Sequence, residues 1–225
     1  MKCVMATGGS GGHIFPAIEV AKVLRQAGHE VIFAGTFRHF HHQIAREGFV
    51  LYEFETKPFS IKAWNGFCEF SRSLSKSFFS SLKLLKEIQP DVVIGFGGYG
   101  SFPIVVSGIL LNFPTMIHEQ NVIPGRANRI LAPGVKRIAI SFEETQKYFP
   151  AQKTVWTGCP CRLANTQLNR SSILKEFGLS EHKKTILVLG GSQGSQRINQ
   201  AFMDVSYLLK DEIPLQVIHL SGERD

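Results

Sequence analysis

The sequence predicts an α/β protein built on a parallel sheet with helices on both faces. Short apolar segments that favour strands alternate with longer segments of helical periodicity. The strand segments are apolar at successive positions rather than at every second position, which is typical of strands buried on both faces. Glycine-rich turns follow three of the strands, as is common where a parallel strand leads into a helix beside a ligand site.

Seven apolar segments define the strands of this sheet. The first strand, 2–6, leads to a helix at 13–27, which has apolar residues at helical spacing and is followed by Gly28 as its C-cap. The further strands are predicted at 30–34, 50–55, 91–95, 115–118, 137–141 and 154–157.

A long helix is predicted from about residue 65 to residue 88, between the third and fourth strands. Six apolar residues fall on one face of this helix, and we expect that face to be buried in the core. They are Phe67, Phe70, Leu74, Phe78, Leu82 and Leu85.

A polar stretch at 165–172 separates this sheet from a second set of elements. A strand at 185–189, a helix from about residue 197 to residue 209 and a strand at 215–220 form one further βαβ unit. One unit is too small to complete a doubly wound domain. We therefore predict a complete Rossmann-like domain over 1–160, and a linker with an incomplete and poorly stable second Rossmann-like domain over 161–225.

Composition excludes several classes of protein. The 225 residues are 44% hydrophobic and 19% charged, which is typical of a folded, soluble chain. No stretch of about 20 apolar residues could span a membrane, and the N-terminus lacks the apolar core of a signal peptide, so we expect a cytoplasmic protein. The histidine-rich run at 39–42 has no carboxylate or cysteine nearby, and we expect a solvated helix start and no metal site.

The net charge of +7 suits anionic partners such as phosphates, nucleic acids or acidic lipids. No recognised nucleic-acid-binding motif accompanies this charge, so we expect no nucleic-acid partner.

Three strand ends lead into glycine-rich loops with the sequences GGSGGH at 8–13, GFGGYGS at 95–101 and GGSQGS at 190–195. Glycine lets a ligand approach the backbone, and the helix N-terminus behind such a loop favours phosphate. Because ligands of parallel sheets bind at the carboxyl ends of the strands, the three loops together predict a ligand that carries phosphate.

The second loop also fits a dinucleotide-binding pattern. Gly95, Gly97 and Gly100 satisfy GxGxxG, and Glu119 lies nineteen residues beyond Gly100. This pattern keeps a nicotinamide-dependent oxidoreductase open as an alternative function. Its position argues against that alternative, because the pattern usually follows the first strand of its domain, where this chain has GGSGGH instead.

The fifth predicted strand ends in four polar residues, His118, Glu119, Gln120 and Asn121. A helix that Asn121 caps would explain this one residue, but it would not explain His118 and Glu119 together. We therefore interpret the end of this strand as part of a ligand site.

Five segments in this order resemble the MurG family of bacterial N-acetylglucosaminyltransferases: GGSGGHIFPAIEVA, DVVIGFGGYGSFP, HEQNVIPGRANRILA, GCPCR and GGSQGS. The chain departs from the family at Ser10, where threonine is common, and at Cys159, where asparagine is common. The resemblance covers essentially all of the chain and implies the GT-B architecture, in which two Rossmann-like domains face a cleft. The N-terminal domain then holds a lipid-linked acceptor, and the C-terminal domain holds most of UDP-N-acetylglucosamine.

The resemblance implies an inverting transfer of N-acetylglucosamine to the muramoyl 4-hydroxyl of lipid I, which gives lipid II for peptidoglycan synthesis, with no cofactor or metal. The family continues past Asp225, so we expect this chain to be an N-terminal fragment that is inactive alone. The acceptor hydroxyl needs a general base, and the candidates are His13 and Glu119, with His13 slightly favoured because an ordinary histidine pKa of about 6.5 suits the role.

The resemblance also assigns ligand contacts residue by residue. The donor-binding positions that it implies are Ser10, Gly11, Gly12, Asn121, Arg162 and Ser192. Further residues expected in the cleft are Gly97, Gly98, Tyr99, His118, Asn128, Gln193 and Gly194.

The stretch 57–90 has the features of a membrane-surface contact. It contains six basic and two acidic residues, together with aromatic residues that lack an evident place in the core. Because the acceptor of the family is anchored by a polyprenyl chain, we expect a peripheral protein that contacts an anionic membrane surface on the cytoplasmic face of the inner membrane. The predicted contacts are Phe59, Ile61, Lys62, Trp64 and Phe79.

Overall fold

The computed structural model describes residues 1–37, 40–54, 64–161, 169–191, 194–209 and 214–222, with the backbone alone for 64–68. The chain divides into two compact units, Met1–Arg162 and Leu163–Asp225.

The first unit contains a seven-stranded sheet in which every neighbouring pair of strands is parallel, in the order β3-β2-β1-β4-β5-β6-β7. Each strand lies within two residues of its predicted bounds. The strands are β1 (Lys2–Thr7), β2 (Glu30–Gly35), β3 (Val50–Glu53), β4 (Val92–Gly95), β5 (Thr115–Glu119), β6 (Arg137–Ile140) and β7 (Thr154–Trp156).

Helices connect these strands and cover both faces of the sheet. The long helices α1 and α3 match the sequence-based expectation, and His41 begins the short helix α2. The helices are α1 (Gly11–Gln26), α2 (His41–Arg46), α3 (Trp64–Ile88), α4 (Phe102–Leu110) and α5 (Arg126–Leu131), with 3-10 turns at Glu143–Tyr148 and Ala151–Lys153.

The core consists of two apolar layers, one on each face of the sheet. Successive side chains of a strand point to opposite faces, so Val4 and Met5 of β1 belong to different layers. Met5 packs with Ile14 of α1, whereas Val4 packs in the layer that includes Leu85 of α3 and Val105 of α4. Burial on both faces explains why the strands are apolar at successive positions.

Helix α3 turns a different face to the core from the one predicted. Its fully buried residues include Ser77, Ser81 and Leu85, and only Leu85 belongs to the predicted face. The Ser81 hydroxyl donates to the Ser77 carbonyl at 2.6 Å, so the small polar side chain is buried without an unsatisfied group. The apolar pattern could not reveal this, because serine at a close helix contact looks polar in sequence.

The other predicted core residues of α3 are not fully buried in the part of the helix whose side chains are described. The expectation that they form the core face is therefore wrong. The half-buried ones are Phe70, Leu74, Phe78 and Leu82, and the Phe67 side chain lies outside the described set.

The direction in which successive strands are added to the sheet reverses between β1 and β4. Strands β2 and β3 lie on one side of β1, and β4 to β7 lie on the other. The connections on the two sides of this point run in opposite directions and leave a crevice at the carboxyl ends of the strands. The first two glycine-rich loops meet there: a Cβ atom at Gly8 would lie 2.9 Å from Gly98 Cα. Backbone contact between the loops therefore requires glycine at position 8.

The second unit contains the predicted βαβ arrangement. Helix α6 (Arg170–Glu176) precedes β8 (Lys184–Leu189), α7 (Gln196–Leu209) and β9 (Leu215–Leu220), and β8 pairs with β9 in parallel. The Asn169 side chain caps α6 by accepting a hydrogen bond from Ser171 N at 2.9 Å. Among all the helices described in both units, none has the length and apolarity that a membrane span requires.

Candidate functional site

The crevice at the carboxyl ends of β1, β4 and β5 contains a pocket of about 630 Å³. The loop after β4 and the start of α5 form two of its walls, and apolar side chains of α3 and α4 line the rest. The lining residues are His13, Phe70, Leu74, Gly97, Gly98, Tyr99, Phe102, Glu119, Asn121, Gly125, Arg126, Ala127, Asn128 and Ile130. The topology thus brings most of the sequence-predicted cleft residues of the first unit to one site.

His13 lies in the first turn of α1, against the glycines of the second loop. Gly97 and Gly98 have φ angles of +85° and +79°, which favour glycine. A Cβ at Gly97 would lie 3.3 Å from His13 Cε1, and a Cβ at Gly98 would lie 3.2 Å from His13 Cδ2. The two glycines therefore make room for the imidazole. Its Nδ1 lies 3.2 Å from Gln120 Oε1, so the ring does not cap its own helix.

The N-terminus of α1 opens toward the same crevice. Ser10 is the N-cap residue, is exposed, and its hydroxyl makes no capping hydrogen bond. The Ser10 carbonyl accepts from His13 N and Ile14 N, whereas no hydrogen bond to another described residue is found for Gly11 N or Gly12 N. The first turn of the helix contains no acidic residue. Free backbone donors and the positive end of the helix dipole together favour an anion at this position.

Glu119, at the end of β5, is a buried carboxylate with four hydrogen-bond donors around it. Its Oε1 accepts from Asn121 N at 2.9 Å and from Asn121 Nδ2 at 3.0 Å. Its Oε2 accepts from Gly125 N at 3.0 Å and from Asn128 Nδ2 at 2.9 Å. The side chain is 1% exposed, and its charge is compensated by groups of the loop that follows it. Glu119 therefore holds the loop that forms one wall of the pocket. Asn121 donates to Glu119 and does not cap a helix.

His118 lies beneath the pocket and is 3% exposed. Its Nε2 donates to the Gly158 carbonyl at 3.2 Å, and its Nδ1 lies 3.1 Å from Gln120 Nε2. Burial lowers the pKa of His118, and the hydrogen bond to Gly158 and the charge of Glu119 oppose this effect only in part. The imidazole is therefore neutral at pH 7.

The positions of some predicted site residues are not described. Arg162, Ser192 and Gln193 are outside the described residues, as are Phe59, Ile61 and Lys62, and of Trp64 only the backbone is described. Gly194 belongs to the second unit, where a Cβ would collide with the backbone of Ser221.

Some residues that line this pocket, or touch a residue that lines it, are not named as ligand contacts in the sequence analysis. Gln120 stands inside the predicted polar cluster, and its contact with His13 depends on the arrangement of β5 and α1. Arg126, the first residue of α5, could have been noticed as the cation that directly follows the loop after β5. Phe70, Leu74 and Phe102 are indistinguishable from core residues in sequence, because they belong to apolar helix faces.

The glycines of the GxGxxG pattern pack against the protein itself. A Cβ at Gly95 would lie 2.6 Å from Val105 Cγ2, and a Cβ at Gly100 would lie 2.9 Å from Thr36 Cβ. Glu119, the acidic residue of the pattern, already accepts four hydrogen bonds. These contacts explain the pattern without a dinucleotide and do not favour the nicotinamide alternative.

Comparison with known families agrees with this geometry. Residues 3–140 match the profile of the Glycosyltransferase family 28 N-terminal domain. The chain belongs to glycosyltransferase family 28. Residues 185–225 match the family 28 C-terminal domain.

Two curated relatives illustrate the similarity of this family 28 chain to N-acetylglucosamine transferases. Both are named UDP-N-acetylglucosamine--N-acetylmuramyl-(pentapeptide) pyrophosphoryl-undecaprenol N-acetylglucosamine transferase. The one from Halothermothrix orenii is 40% identical over 100% of this chain and 62% of its own length. The one from Thermodesulfovibrio yellowstonii is 38% identical over 100% of this chain and 63% of its own length. The chain thus spans less than two thirds of these relatives.

A solved structure supports the same assignment. The crystal structure of Acinetobacter baumannii MurG is 28% identical and covers 100% of this chain and 60% of that chain, with a TM-score of 0.71. The predicted fold class and the resemblance to the MurG family are confirmed.

The buried neutral state of His118 predicts a pH-dependent stability. Because the pKa of His118 is lowered in the folded state, the unfolded chain binds more protons than the folded chain around the ordinary histidine pKa of about 6.5. The stability that the neutral His118 ring adds to the folded state is therefore fully present above about pH 6.5. It is lost as the pH falls through that value towards the folded pKa, and the free energy of unfolding then changes by at most about 1.4 kcal/mol per pH unit. His118→Gln should flatten this slope in urea titrations at several pH values.

His42→Gln provides the matched control, since His42 is exposed at the start of α2. This variant should keep the wild-type slope. A His118→Gln variant with the same dependence on pH as the wild type would contradict the assignment.

Proposed function

We propose that this chain supplies the acceptor-binding part, and the first donor contacts, of an inverting N-acetylglucosaminyltransferase that converts lipid I to lipid II. The observation that carries this proposal is the position of His13. This residue lines a pocket beside the N-terminus of α1, where the order of the strands reverses between β1 and β4. The names of the curated relatives, which are N-acetylglucosamine transferases for an N-acetylmuramyl-(pentapeptide) pyrophosphoryl-undecaprenol, support the same reaction.

The proposed reaction is a single displacement at the anomeric carbon of N-acetylglucosamine. The muramoyl 4-hydroxyl oxygen forms a bond to that carbon, while the bond from the carbon to the diphosphate oxygen of UDP breaks. His13 Nε2 takes the hydroxyl proton, and the bonding electrons leave with UDP. His13 suits this role better than Glu119, because the Glu119 oxygens accept four hydrogen bonds and its side chain is 1% exposed.

The leaving diphosphate requires hydrogen-bond donors and positive charge. The free N–H groups of Gly11 and Gly12 and the hydroxyl of Ser10 would donate to it at the start of α1. Asn121 would contact the donor from the exposed side of the loop after β5. Arg162 and Ser192 complete the proposed donor set by resemblance to the family.

The acceptor would lie against the opposite wall of the pocket. Arg126 is exposed there at the start of α5 and makes no ion pair with a described residue. Its guanidinium is suited to a phosphate oxygen of the acceptor. Phe70, Leu74 and Phe102 form an apolar side of the same pocket, where the apolar atoms of the acceptor would pack.

Helix α3 would bring this pocket to an anionic membrane surface. Within its described side chains, Arg72, Lys76, Phe79, Lys83 and Lys86 are exposed at intervals of three and four residues, which places them on one stripe. The Phe79 side chain is 67% exposed. An exposed aromatic residue among cations is suited to the interface of an anionic bilayer, where apolar burial and charge attraction add.

The role of His13 is testable by sugar transfer. Because the chain spans 62% of the Halothermothrix orenii relative, the assay uses a chimera in which this chain replaces the matching part of that relative. His13→Gln is expected to lower kcat by about 10²- to 10⁴-fold, the usual contribution of a general base, with a smaller effect on KM.

His42→Gln, on the exposed helix α2, serves as the control and should keep the full rate. A His13→Gln chimera that retains at least a tenth of the wild-type kcat would refute the proposed base.

The membrane contact is testable with vesicles. The chain should sediment with vesicles of phosphatidylglycerol more than with phosphatidylcholine, and added salt should weaken the binding. Phe79→Ser combined with Lys76→Glu removes an apolar anchor and reverses one charge. Since each cation near an anionic surface contributes about 1 kcal/mol, binding should weaken by at least about tenfold.

Val23→Ser combined with Lys136→Glu makes the same chemical changes at exposed sites outside α3 and should bind as the wild type does. Equal binding to both lipids, or unchanged binding of the α3 variant, would defeat the proposal.

A further inference from the structure

A chain of hydrogen bonds leads from the backbone beneath the pocket to the His13 imidazole. One end of the Gln120 side-chain amide lies 3.1 Å from the Phe96 carbonyl oxygen and 3.3 Å from the His118 carbonyl oxygen. The other end lies 3.2 Å from His13 Nδ1. Gln120 is thus the only described side chain within hydrogen-bond distance of the His13 ring.

The orientation of the Gln120 amide follows from its partners. A backbone carbonyl oxygen can only accept a hydrogen bond, so the end that faces two of them must be the NH₂ group. The opposite end is then the oxygen Oε1, which can only accept. A rotated amide would place Oε1 against both carbonyl oxygens, and acceptors would then face one another.

His118 reinforces this orientation. Its Nε2 points to the Gly158 carbonyl oxygen and therefore carries the proton, which leaves Nδ1 as an acceptor for Gln120 Nε2. The lowered pKa of His118 keeps the ring in this neutral form. A protonated His118 would present an N–H group to the Gln120 NH₂, and two donors would then face each other.

The oxygen of Gln120 determines which nitrogen of His13 carries the proton. Since Oε1 can only accept, the hydrogen bond at 3.2 Å requires a proton on His13 Nδ1. The neutral ring then has its lone pair on Nε2, which makes no hydrogen bond to a described residue. We propose that Gln120 is a positioning residue that holds the proton of His13 on Nδ1 and keeps Nε2 free to accept a proton from the substrate.

This inference rests on the proposed function, in which His13 Nε2 accepts the proton of a sugar hydroxyl. Gln120 would act there as an orienting group, comparable to the third member of a catalytic triad, but without a charge. A neutral orienting group fixes the tautomer without placing a second carboxylate in the pocket beside Glu119.

The tautomer can be measured without any substrate. Nitrogen-15 NMR of the imidazole rings in the full 225-residue chain distinguishes a protonated from an unprotonated ring nitrogen at alkaline pH, where histidines are neutral. The His13 signals are assigned by their loss in His13→Asn. The wild-type chain should show His13 mainly with the proton on Nδ1, and His118 with the proton on Nε2.

Gln120→Met removes the acceptor and keeps the length of the side chain. The ratio of the Nδ1–H to the Nε2–H form of His13 should then fall by roughly 2- to 10-fold, the factor that one neutral hydrogen bond contributes. Gln146→Met is the matched control, because Gln146 is exposed in the 3-10 turn after β6, and it should leave the ratio unchanged.

A wild-type spectrum with His13 mainly in the Nε2–H form would overturn the proposal, as would an unchanged ratio in Gln120→Met. The wild-type spectrum decides the question even if Gln120→Met fails to fold. Because no substrate is present, this result is separate from that of the transfer assay, which tests the proposed function itself.

Discussion

The buried carboxylate of Glu119 determines how the rest of the pocket is arranged. A carboxylate at 1% exposure is costly unless donors surround it, and this one accepts four hydrogen bonds from the loop between β5 and α5. Asn128 donates both to Glu119 and to the His118 carbonyl oxygen, so the first turn of α5 is tied to the end of β5. The wall that carries Arg126 thereby receives a fixed position opposite His13.

The topology of the sheet explains why distant parts of the sequence meet at this wall. The order of the strands reverses between β1 and β4, and the loops that leave them touch through Gly8 and Gly98. His13 enters from α1, the two glycines beside it enter after β4, and Gln120 enters after β5. A family 28 chain with this sheet order therefore places a histidine, free backbone donors and a cation around one crevice, which is the set that the proposed transfer needs.

The sequence predicts the strands well, because burial on both faces leaves a continuous apolar pattern that needs no knowledge of the tertiary structure. The first two glycine loops and the polar residues His118 to Asn121 lie, as predicted, at the carboxyl ends of the strands. The buried face of α3 could not be predicted, because serine at positions 77 and 81 looks polar in sequence, although the Ser81 hydroxyl donates to the Ser77 carbonyl inside the helix. The roles of Glu119 and Gln120 could not be separated either: both are polar residues after a strand, and only the structure shows that one is held by its own loop and the other faces His13.

Binding of the acceptor in the crevice of the first unit can be measured by hydrogen–deuterium exchange of this chain with a soluble lipid I analogue. Exchange should slow in the backbone of 8–14, 97–100 and 121–129, with α7 of the second unit unchanged and with no such protection by NADH. Protection by NADH at the same segments, or protection by the lipid I analogue confined to other parts of the chain, would contradict it.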